Sequence, residues 1–414
     1  MEVALPDRPR IPTAPRSLRG NLGALFARAL LVGLRYNTLF VVLQPFVLSR
    51  GGSVALLGLL ETVGGYRGLV PTLVQPAAGW LADQVGRKRV ALAASVVTVA
   101  SMLLFAVAGG VGAVALLLPA AVLVGLNAVG RPALDALVVE SVVPERVGRA
   151  YSLISFGWAV AGVIASLGAG LLAERAGYVP VFVLTAALET VGTLLLAFGV
   201  RETLTQRRRA LLEPRVVREL TLGWILPPAR LRAFYLAVVI DSFAYGVGSL
   251  LLFGFLADRF GYTPFQFGVM ATAFSISWML MQLPAGRWTD RGRAKDLLVI
   301  GEGLDALVVG TWLLSQDFGV LIVTMAVLGV VAALWTPALV AWIAERVPEG
   351  QRAQEMGRLS ALPGLFAFPA PYLGALLYER WGFAAPIALN LAGVLVTTAV
   401  LVWGVEGSRG YNSG

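Results

Sequence analysis

Gly79-Trp-Leu-Ala-Asp-Gln-Val-Gly-Arg-Lys-Arg89 and Gly286-Arg-Trp-Thr-Asp-Arg-Gly-Arg-Ala-Lys295 are two versions of one polar motif, and they begin 207 residues apart in a chain of 414. Each version separates two long apolar stretches. A motif that recurs after half the chain length indicates an internal duplication. The pair therefore predicts two similar halves, each with this polar segment at the same place.

Two further segments repeat in the same order. Pro132-Ala-Leu-Asp-Ala-Leu-Val-Val-Glu140 is matched by Pro337-Ala-Leu-Val-Ala-Trp-Ile-Ala-Glu345, and Leu171-Leu-Ala-Glu-Arg-Ala-Gly177 is matched by Leu376-Leu-Tyr-Glu-Arg-Trp-Gly382. Three matches with one order and one membrane sidedness predict parallel halves related by an axis along the membrane normal. A substrate path is expected between the halves.

The composition is that of a polytopic membrane protein. Hydrophobic residues make up 57% of the chain and charged residues 14%, whereas soluble proteins carry about 25% charged residues. Cysteine and histidine are both absent, which excludes disulfides, thiol chemistry, zinc fingers and Ser-His-Asp triads. An enzyme is not indicated, and neither a metal nor a cofactor is expected. The net charge of +9 does not form one patch, so nucleic acid is not expected as a partner.

Twelve apolar stretches approach the length of about 20 residues that a membrane-spanning helix needs. Their predicted bounds are 21–48, 54–82, 90–108, 111–138, 153–173, 178–200, 231–256, 265–287, 297–314, 319–343, 357–378 and 382–404. The first stretch lacks a small-residue cleavage site, so a retained helix is expected. The predicted division is a tail at 1–20, a half at 21–200, a loop at 201–230, a half at 231–404 and a tail at 405–414.

The basic residues predict the orientation. Twenty-four Lys and Arg residues lie on the side of the termini and four on the other side, and basic residues in short loops stay in the cytoplasm. Both termini and the loop at 201–230 are therefore expected in the cytoplasm, with the protein in the plasma membrane of a prokaryote. The basic run in that loop is explained by the same rule.

The stretch from Gly79 to Arg89 resembles the signature between helices 2 and 3 of the major facilitator superfamily, and Gly286–Lys295 resembles its degraded second copy between helices 8 and 9. The resemblance extends over residues 21–404, and the chain is most similar to the twelve-helix drug-efflux branch. Gln84 replaces a usually basic residue, and helix 5 lacks the Gly-Pro pair typical of antiporters. The resemblance implies an all-α bundle of twelve helices in two parallel six-helix repeats.

The resemblance also implies a conformational latch on the cytoplasmic side. An ion pair that exists in only one arrangement of the halves stabilises that arrangement. Asp83, Arg87 and Glu140 are expected to hold the outward-open state, with a weaker second set. Alternatively, the glycines only permit close packing and the charges are solvated. The predicted latch residues are Gly79, Asp83, Gly86, Arg87, Glu140, Asp290, Arg293 and Glu345.

Two arginines are predicted at mid-membrane, where each unpaired charge costs at least about 2.5 kcal/mol. Arg35 on helix 1 and Arg67 on helix 2 reach similar depths, because a helix rises about 1.5 Å per residue. They could line a cavity that attracts anions. The alternative is internal neutralisation by Glu61 or Glu189. For Arg67 the two interpretations stay open, and for Arg35 the cavity is preferred.

Further polar residues complete the predicted substrate site. Arg131 and Asp135 are four residues apart on helix 4, so they share a face and can also neutralise each other. Asn127, one turn deeper, could contact substrate or bond to a neighbouring helix. The predicted substrate-binding residues are Arg35, Tyr36, Arg67, Asn127, Arg131 and Tyr245.

Asp241, near the centre of helix 7, is the first candidate for proton coupling, followed by Glu61 and Asp135. A carboxylate that alternates between dry and wet surroundings can bind and release a proton. The alternative is a permanent pair with an arginine of the other half, for which Arg35 was the candidate. Glu302 and Asp305 lie on helix 9, which is peripheral in the family, so little functional contact is predicted for them.

These features favour a secondary transporter that exports a small amphipathic or anionic organic compound by alternating access, driven by protons. A monomer in the lipid bilayer is expected. No phosphate-binding Gly-rich loop followed by Lys and Ser or Thr occurs, so ATP drive is not indicated. The alternatives are an uncoupled facilitator or flippase for organic anions or lipids, and a receptor or scaffold without transport.

Overall fold

The computed structural model describes residues 20–143, 146–204 and 227–406, and this part of the chain is helical without strands. The tail at 1–19, the loop at 205–226 and the tail at 407–414 lie outside the described residues, so the predicted ends of the domains stay predictions. The transmembrane helices are α1 Asn21–Ser49, α2a Val54–Gly64, α2b Leu69–Val85, α3 Arg87–Val111, α4 Val114–Glu140, α5 Val147–Ala176, α6 Tyr178–Gly199, α7 Ala229–Phe260, α8 Pro264–Asp290, α9 Ala294–Leu314, α10 Phe318–Arg346, α11a Glu349–Ala367, α11b Ala370–Trp381 and α12 Ala384–Gly404.

Twelve membrane crossings are present in the described residues. Eleven helices are long and apolar enough to span a membrane by length and composition. The twelfth crossing is α2, whose two pieces of 11 and 17 residues are too short to span separately but together reach the necessary length. The predicted all-α fold of two six-helix repeats is therefore confirmed.

Helix 2 was predicted as one helix over 54–82, and this was wrong. The chain leaves the helix at Gly65 and re-enters it at Leu69. Gly64-Gly-Tyr-Arg-Gly68 contains three glycines, each of which costs about 1 kcal/mol relative to alanine within a helix. A Cβ on Gly64 would overlap the carbonyl oxygen of Ala121, so α4 passes directly against this break. The break places Tyr66 and Arg67 in a turn at mid-membrane.

Helices 7 and 11 are also interrupted near mid-membrane. In α7 the regular helix of Arg232–Val247 ends before a turn at Gly248, and Leu252–Phe260 continues beyond it. In α11 the interruption lies at Phe368 and Pro369, and proline lacks the N–H that would continue the helix. Discontinuous helices at the bilayer midplane are typical of transporter binding sites.

Helix 5 is longer than predicted. It begins at Val147, whereas the apolar pattern predicted its start at 153. The added turns carry Arg149 and Tyr151, which the hydropathy of the sequence excluded from the span. Helix α5 packs along α8 of the other half.

Candidate functional site

The two halves are hydrogen-bonded to each other on the membrane side opposite to the termini. The amide of Gln44 in α1 donates to the carbonyl of Leu250 over 2.7 Å, and its Oε1 accepts from the N–H of Gly254 over 2.6 Å. The N–H of Ala55 in α2a donates to Glu379 of α11b over 2.8 Å. Helix α2a also packs more extensively on α11b than α2b does on α11a. This side of the bundle is therefore closed.

A group of exposed aromatic and charged side chains lies at mid-depth between the halves. Tyr36, Tyr66 and Tyr245 are 42%, 59% and 40% exposed, although each belongs to the middle of the bundle. Tyr245 of the second half lies within electrostatic reach of Tyr36 and of Glu61 in the first half. The exposed side chains therefore face one another across a central cavity.

Arg131 is held at the wall of this cavity by an aromatic partner. Its Nη1 donates to the hydroxyl of Tyr66 over 3.2 Å, and its guanidinium lies 5.6 Å from the centre of the Tyr66 ring. Asp135 is exposed on the same face of α4 and lies within electrostatic reach of Arg131. Tyr36 packs beside Trp158 of α5 with 5.4 Å between ring centres. The cavity thus offers flat aromatic surfaces, the cation of Arg131 and the carboxylate of Asp135.

Arg67 connects the halves at mid-depth. From the turn between α2a and α2b its Nη1 donates to the hydroxyl of Ser242 in α7, and its charge lies within electrostatic reach of Asp241. The sequence left open whether a substrate or a carboxylate is the partner of Arg67. In this conformation the guanidinium is directed at α7 of the opposite half.

The arginine that approaches Asp241 is therefore Arg67, whereas the sequence suggested Arg35. Arg35 is only 6% exposed, and its Nε lies 2.9 Å from Oε2 of Glu189 in α6, a residue with no exposed surface. Arg28 adds a second contact, with its Nη2 3.9 Å from Oε1 of Glu189 and 2.7 Å from Oγ of Ser95. Arg35 thus occupies the internally neutralised position that was its alternative, and its predicted substrate contact has no support in this conformation.

Asn127 forms hydrogen bonds to a neighbouring helix, which was the alternative to a substrate contact. Its amide donates to the carbonyl of Ala94 over 3.3 Å and to the hydroxyl of Thr98, both on α3. It therefore joins α4 to α3 inside the first half. A contact with substrate would require one of these hydrogen bonds to break, so the predicted substrate role stays a prediction.

Three of the predicted latch residues form ion pairs in the first half, and their role as a latch stays a prediction. Nη2 of Arg87 lies 3.5 Å from Oδ1 of Asp83, and its Nη1 contacts the carboxylate of Glu140 directly. Gly86 adopts a φ of +117°, a region that favours glycine, and a Cβ there would meet the carboxylate of Glu202 at 2.7 Å. The triad joins α2b, α3 and α4 while the halves are closed on the opposite side. The triad was expected to hold the outward-open state, but its ion pairs are present in this conformation, which is closed on the opposite side.

The second half does not assemble the same triad. Arg293 pairs with Asp296 over 3.5 Å at the surface, and Glu345 pairs with Arg346 over 3.2 Å. Asp290 is exposed. The two copies of the motif thus differ in their ion pairs, although their sequences correspond.

Both motif copies share a different contact, made by lysine. Lys88 and Lys295 are the second residues of α3 and α9, and they are the only lysines among the 33 basic residues of the chain. The Nζ of Lys88 donates to the carbonyl of Ala197 over 2.6 Å. The Nζ of Lys295 donates to the carbonyls of Val402 and Val405 over 3.0 and 2.5 Å. Each lysine therefore caps the π-helical last turn of helix 6 or helix 12.

Loss of either lysine cap should destabilise the bundle by a moderate amount. A cation at a helix C-terminus contributes up to about 2 kcal/mol in partly buried sites, so Lys88→Met and Lys295→Met are each expected to cost about 1–2 kcal/mol. Thermal unfolding of the detergent-solubilised protein measures the effect. Arg89→Met, which removes an exposed neighbouring cation, is the matched control. Equal melting temperatures for Lys88→Met and Arg89→Met would contradict the capping role.

Five functional candidates were missed or undervalued in the sequence. Tyr66 follows two glycines, and that run was the available signal for a break. Glu302 and Asp305, three residues apart on an otherwise apolar helix, lie within electrostatic reach of Asp241. A count of residue types would have identified Lys88 and Lys295, because the chain has no other lysine. Within the described residues, no group of three acidic side chains has an arrangement that could hold a metal ion.

Comparisons with known proteins agree with this architecture. The sequence model of the Major Facilitator Superfamily matches residues 25–239 and again residues 234–413. Multidrug resistance protein MdtG of Salmonella typhi is 25% identical over 398 residues, which cover 94% of this chain and 96% of MdtG. The crystal structure of the human organic anion transporter MFSD10 superposes with a TM-score of 0.66 at 20% identity, covering 93% of this chain and 99% of that one. The D-xylose-proton symporter superposes with a TM-score of 0.67 at 15% identity, covering 95% and 97%.

Proposed function

The chain belongs to the major facilitator superfamily, in its drug-efflux branch, and we propose that it exports a small amphipathic or anionic organic compound in exchange for protons. Membership in this family makes it a membrane transporter and not an enzyme. The proposed transporter acts as a monomer in the cytoplasmic membrane. Both termini lie in the cytoplasm, as the excess of basic residues on their side indicates.

The observation that carries the proposal is the contact between Arg67 and helix 7. Arg67 belongs to the first half, and its partners Ser242 and Asp241 belong to the second. When the halves move relative to each other, Arg67 leaves Asp241, and an isolated buried carboxylate binds a proton more readily. The same movement that opens and closes the cavity therefore changes the affinity of Asp241 for a proton.

The conformation supports loading from the cytoplasm. The hydrogen bonds of Gln44 and Glu379 close the bundle on the side opposite to the termini. Helices α2b and α11a pack less extensively than α2a and α11b, which supports a cavity that opens toward the termini. With the termini in the cytoplasm, this is the state in which an exporter takes up its substrate. Rocking of the two halves about the mid-depth site then exposes it to the other side.

The chemistry of the cavity defines the substrate class. Tyr36, Tyr66 and Tyr245 present exposed aromatic faces, which suit planar or apolar groups. Arg131 supplies a cation for an acidic substituent, and Asp135 a carboxylate for a basic one. The names of relatives agree with this range, since MdtG is a multidrug resistance protein and MFSD10 an organic anion transporter.

Proteoliposomes provide the test, with ethidium as a cationic dye and carboxyfluorescein as an anionic one. Wild-type protein is expected to move at least one dye faster when a pH gradient is imposed. Asp241→Asn should move that dye at the same rate with and without the gradient. Asp296→Asn, which alters an exposed carboxylate of α9, serves as control and should respond like wild type. A full response of Asp241→Asn to the gradient would remove Asp241 from coupling.

One observation favours an uncoupled organic-anion facilitator as the second candidate. Arg131 is exposed in the cavity and is held by Tyr66 in an orientation open to ligands. This candidate requires carboxyfluorescein transport by the wild type that does not respond to the pH gradient. If neither dye moves in wild-type vesicles, the receptor or scaffold interpretation gains support.

A further inference from the structure

Three carboxyl groups of the second half lie within electrostatic reach of one another. Asp241 lies on α7, and Glu302 and Asp305 lie one turn apart on α9. Glu302 is 2% exposed and Asp305 is 8% exposed. The carboxyl groups of Asp241 and Glu302 are within hydrogen-bonding distance of each other. Helices 7 and 9, which belong to the same half, are thus joined by two acidic side chains.

The contact between Asp241 and Glu302 requires a proton. An ionised carboxylate has acceptors only, so two of them cannot form a hydrogen bond unless one carries an O–H. Oε2 of Glu302 and Oδ1 of Asp305 are buried and receive no hydrogen bond from an N–H or hydroxyl donor within the described residues. Two like charges in one dry site also favour protonation of one of them. The carboxyl groups of Asp241 and Glu302 can therefore bind one proton between them.

The charged and titratable groups around this cluster come from both halves. Arg67 faces Asp241 from the break in α2. Tyr245, one turn after Asp241, lies within reach of Asp305 and Arg67, and also of Glu61 and Tyr36. Arg67 is the cation that approaches the cluster from the first half. Its distance from Asp241 decides how much negative charge the cluster can hold.

We propose that Asp241 and Glu302 form a shared proton-binding site, with Asp305 as a second acceptor behind them. The proton is taken from water at the open side of the cavity, is held as an O–H on one carboxyl and is accepted by an oxygen of the other. When Arg67 closes on Asp241, the O–H bond at Asp241 breaks and a new one forms on Glu302 or in the water of the cavity. The site deepens the proposed transport function, because it identifies where the exchanged proton is held.

This arrangement explains why an acidic pair is placed on helix 9. A single carboxylate at Asp241 would have to lose its proton completely whenever Arg67 approaches. With Glu302 in contact, the proton passes to Glu302 over one hydrogen bond, and its exchange with the water of the cavity is a separate step. Glu302 on helix 9 therefore holds the proton, while Asp241 on helix 7 interacts with Arg67 of the first half.

Infrared spectroscopy tests the site without any substrate. Wild-type protein in lipid nanodiscs is titrated with acid and base, and the difference spectrum is recorded in the C=O stretch region of carboxylic acids. A band that titrates is expected in the wild type. Glu302→Gln and Asp241→Asn should each remove it, whereas Asp305→Asn should shift it. Asp296→Asn, on the exposed part of the same helix, should leave it unchanged.

Glu302→Gln keeps the size of the side chain and can donate its amide N–H to Asp241, so it is expected to fold. Glu302→Asp is the second variant, since it keeps the acid but withdraws it by one methylene, and should shift the band without removing it. A wild-type band that persists unaltered in both Glu302→Gln and Glu302→Asp would overturn the shared site.

The dye assay separates this inference from the proposed transport function. Glu302→Gln should lower the stimulation by the pH gradient at least tenfold, with Asp296→Asn unaffected. If the infrared band depends on Glu302 but no dye moves in wild-type vesicles, the proton site stands and the proposed function fails. If transport responds to the gradient and the band does not depend on Glu302, the function stands and the site fails.

Discussion

Glu189→Gln is expected to destabilise the first half by about 3–5 kcal/mol, which is the usual cost of removing one partner of a buried ion pair. Glu189 has no exposed surface and neutralises Arg35 directly and Arg28 more weakly. Without its carboxylate, two guanidinium groups remain in the interior of three packed helices. Low accumulation in the membrane and a greatly reduced melting temperature in detergent should result.

The control for this prediction is a change at an exposed end of the bundle. Glu174→Gln removes a carboxylate that accepts from the N–H of Phe265 over 3.3 Å at the surface, and it should leave the melting temperature nearly unchanged. The double variant Glu189→Gln with Arg35→Gln should recover part of the stability, because it removes one of the unpaired charges. Wild-type stability of Glu189→Gln would show that the arginines find other partners.

Arg67→Gln is expected to lower gradient-driven transport about 10–100-fold, because a hydrogen bond of a charged group contributes about 1.5–3 kcal/mol and each 1.36 kcal/mol changes a rate about tenfold. The contact with Ser242 and the attraction of Asp241 exist in this arrangement of the halves and must be broken in the other. Without these contacts, the proton affinity of Asp241 no longer differs between the two arrangements of the halves, so proton binding is no longer linked to the movement of the halves. Dye transport in proteoliposomes, measured with and without a pH gradient, gives the factor.

Two further variants define the role of Arg67. Arg67→Lys keeps the charge but loses the fork of donors, so an intermediate rate is expected. Arg380→Gln, which removes an exposed cation at the end of α11b, should behave as wild type. Because Arg67 lies in a turn and not in a regular helix, the folded fraction of Arg67→Gln should stay close to that of the wild type. Normal coupling in a folded Arg67→Gln would eliminate the proposed exchange between arginine and proton.

The repeated motif was sufficient to predict the fold, because a hydropathy pattern and a duplication are both encoded along the chain. Counting residues also predicts the depth of Arg35 and Arg67 in the membrane. The directions of their side chains could not be predicted, because depth gives no information on which side of a helix faces which neighbour. Arg35 turns toward Glu189 in its own half, while the glycine break rotates Arg67 toward the other half.

The site on helix 9 could not be obtained from the family resemblance alone. A peripheral helix is normally in contact with lipid, but Glu302 and Asp305 occupy its buried face. Two acids on one face of an apolar helix require a polar partner, and in the structure this partner is Asp241. The identity of the partner depends on packing in three dimensions, which spacing in the sequence does not contain.

Because Lys88 and Lys295 are the only lysines and begin helices on the same side of the bundle, every side-chain primary amine of the protein faces one aqueous compartment. An impermeant acylating reagent therefore distinguishes the two orientations of the protein in reconstituted vesicles. Both amines donate to helix-terminal carbonyls, so their rate of acylation also reports how often the last turns of helices 6 and 12 open. The two lysines thus allow each half to be probed at one known position without an engineered residue.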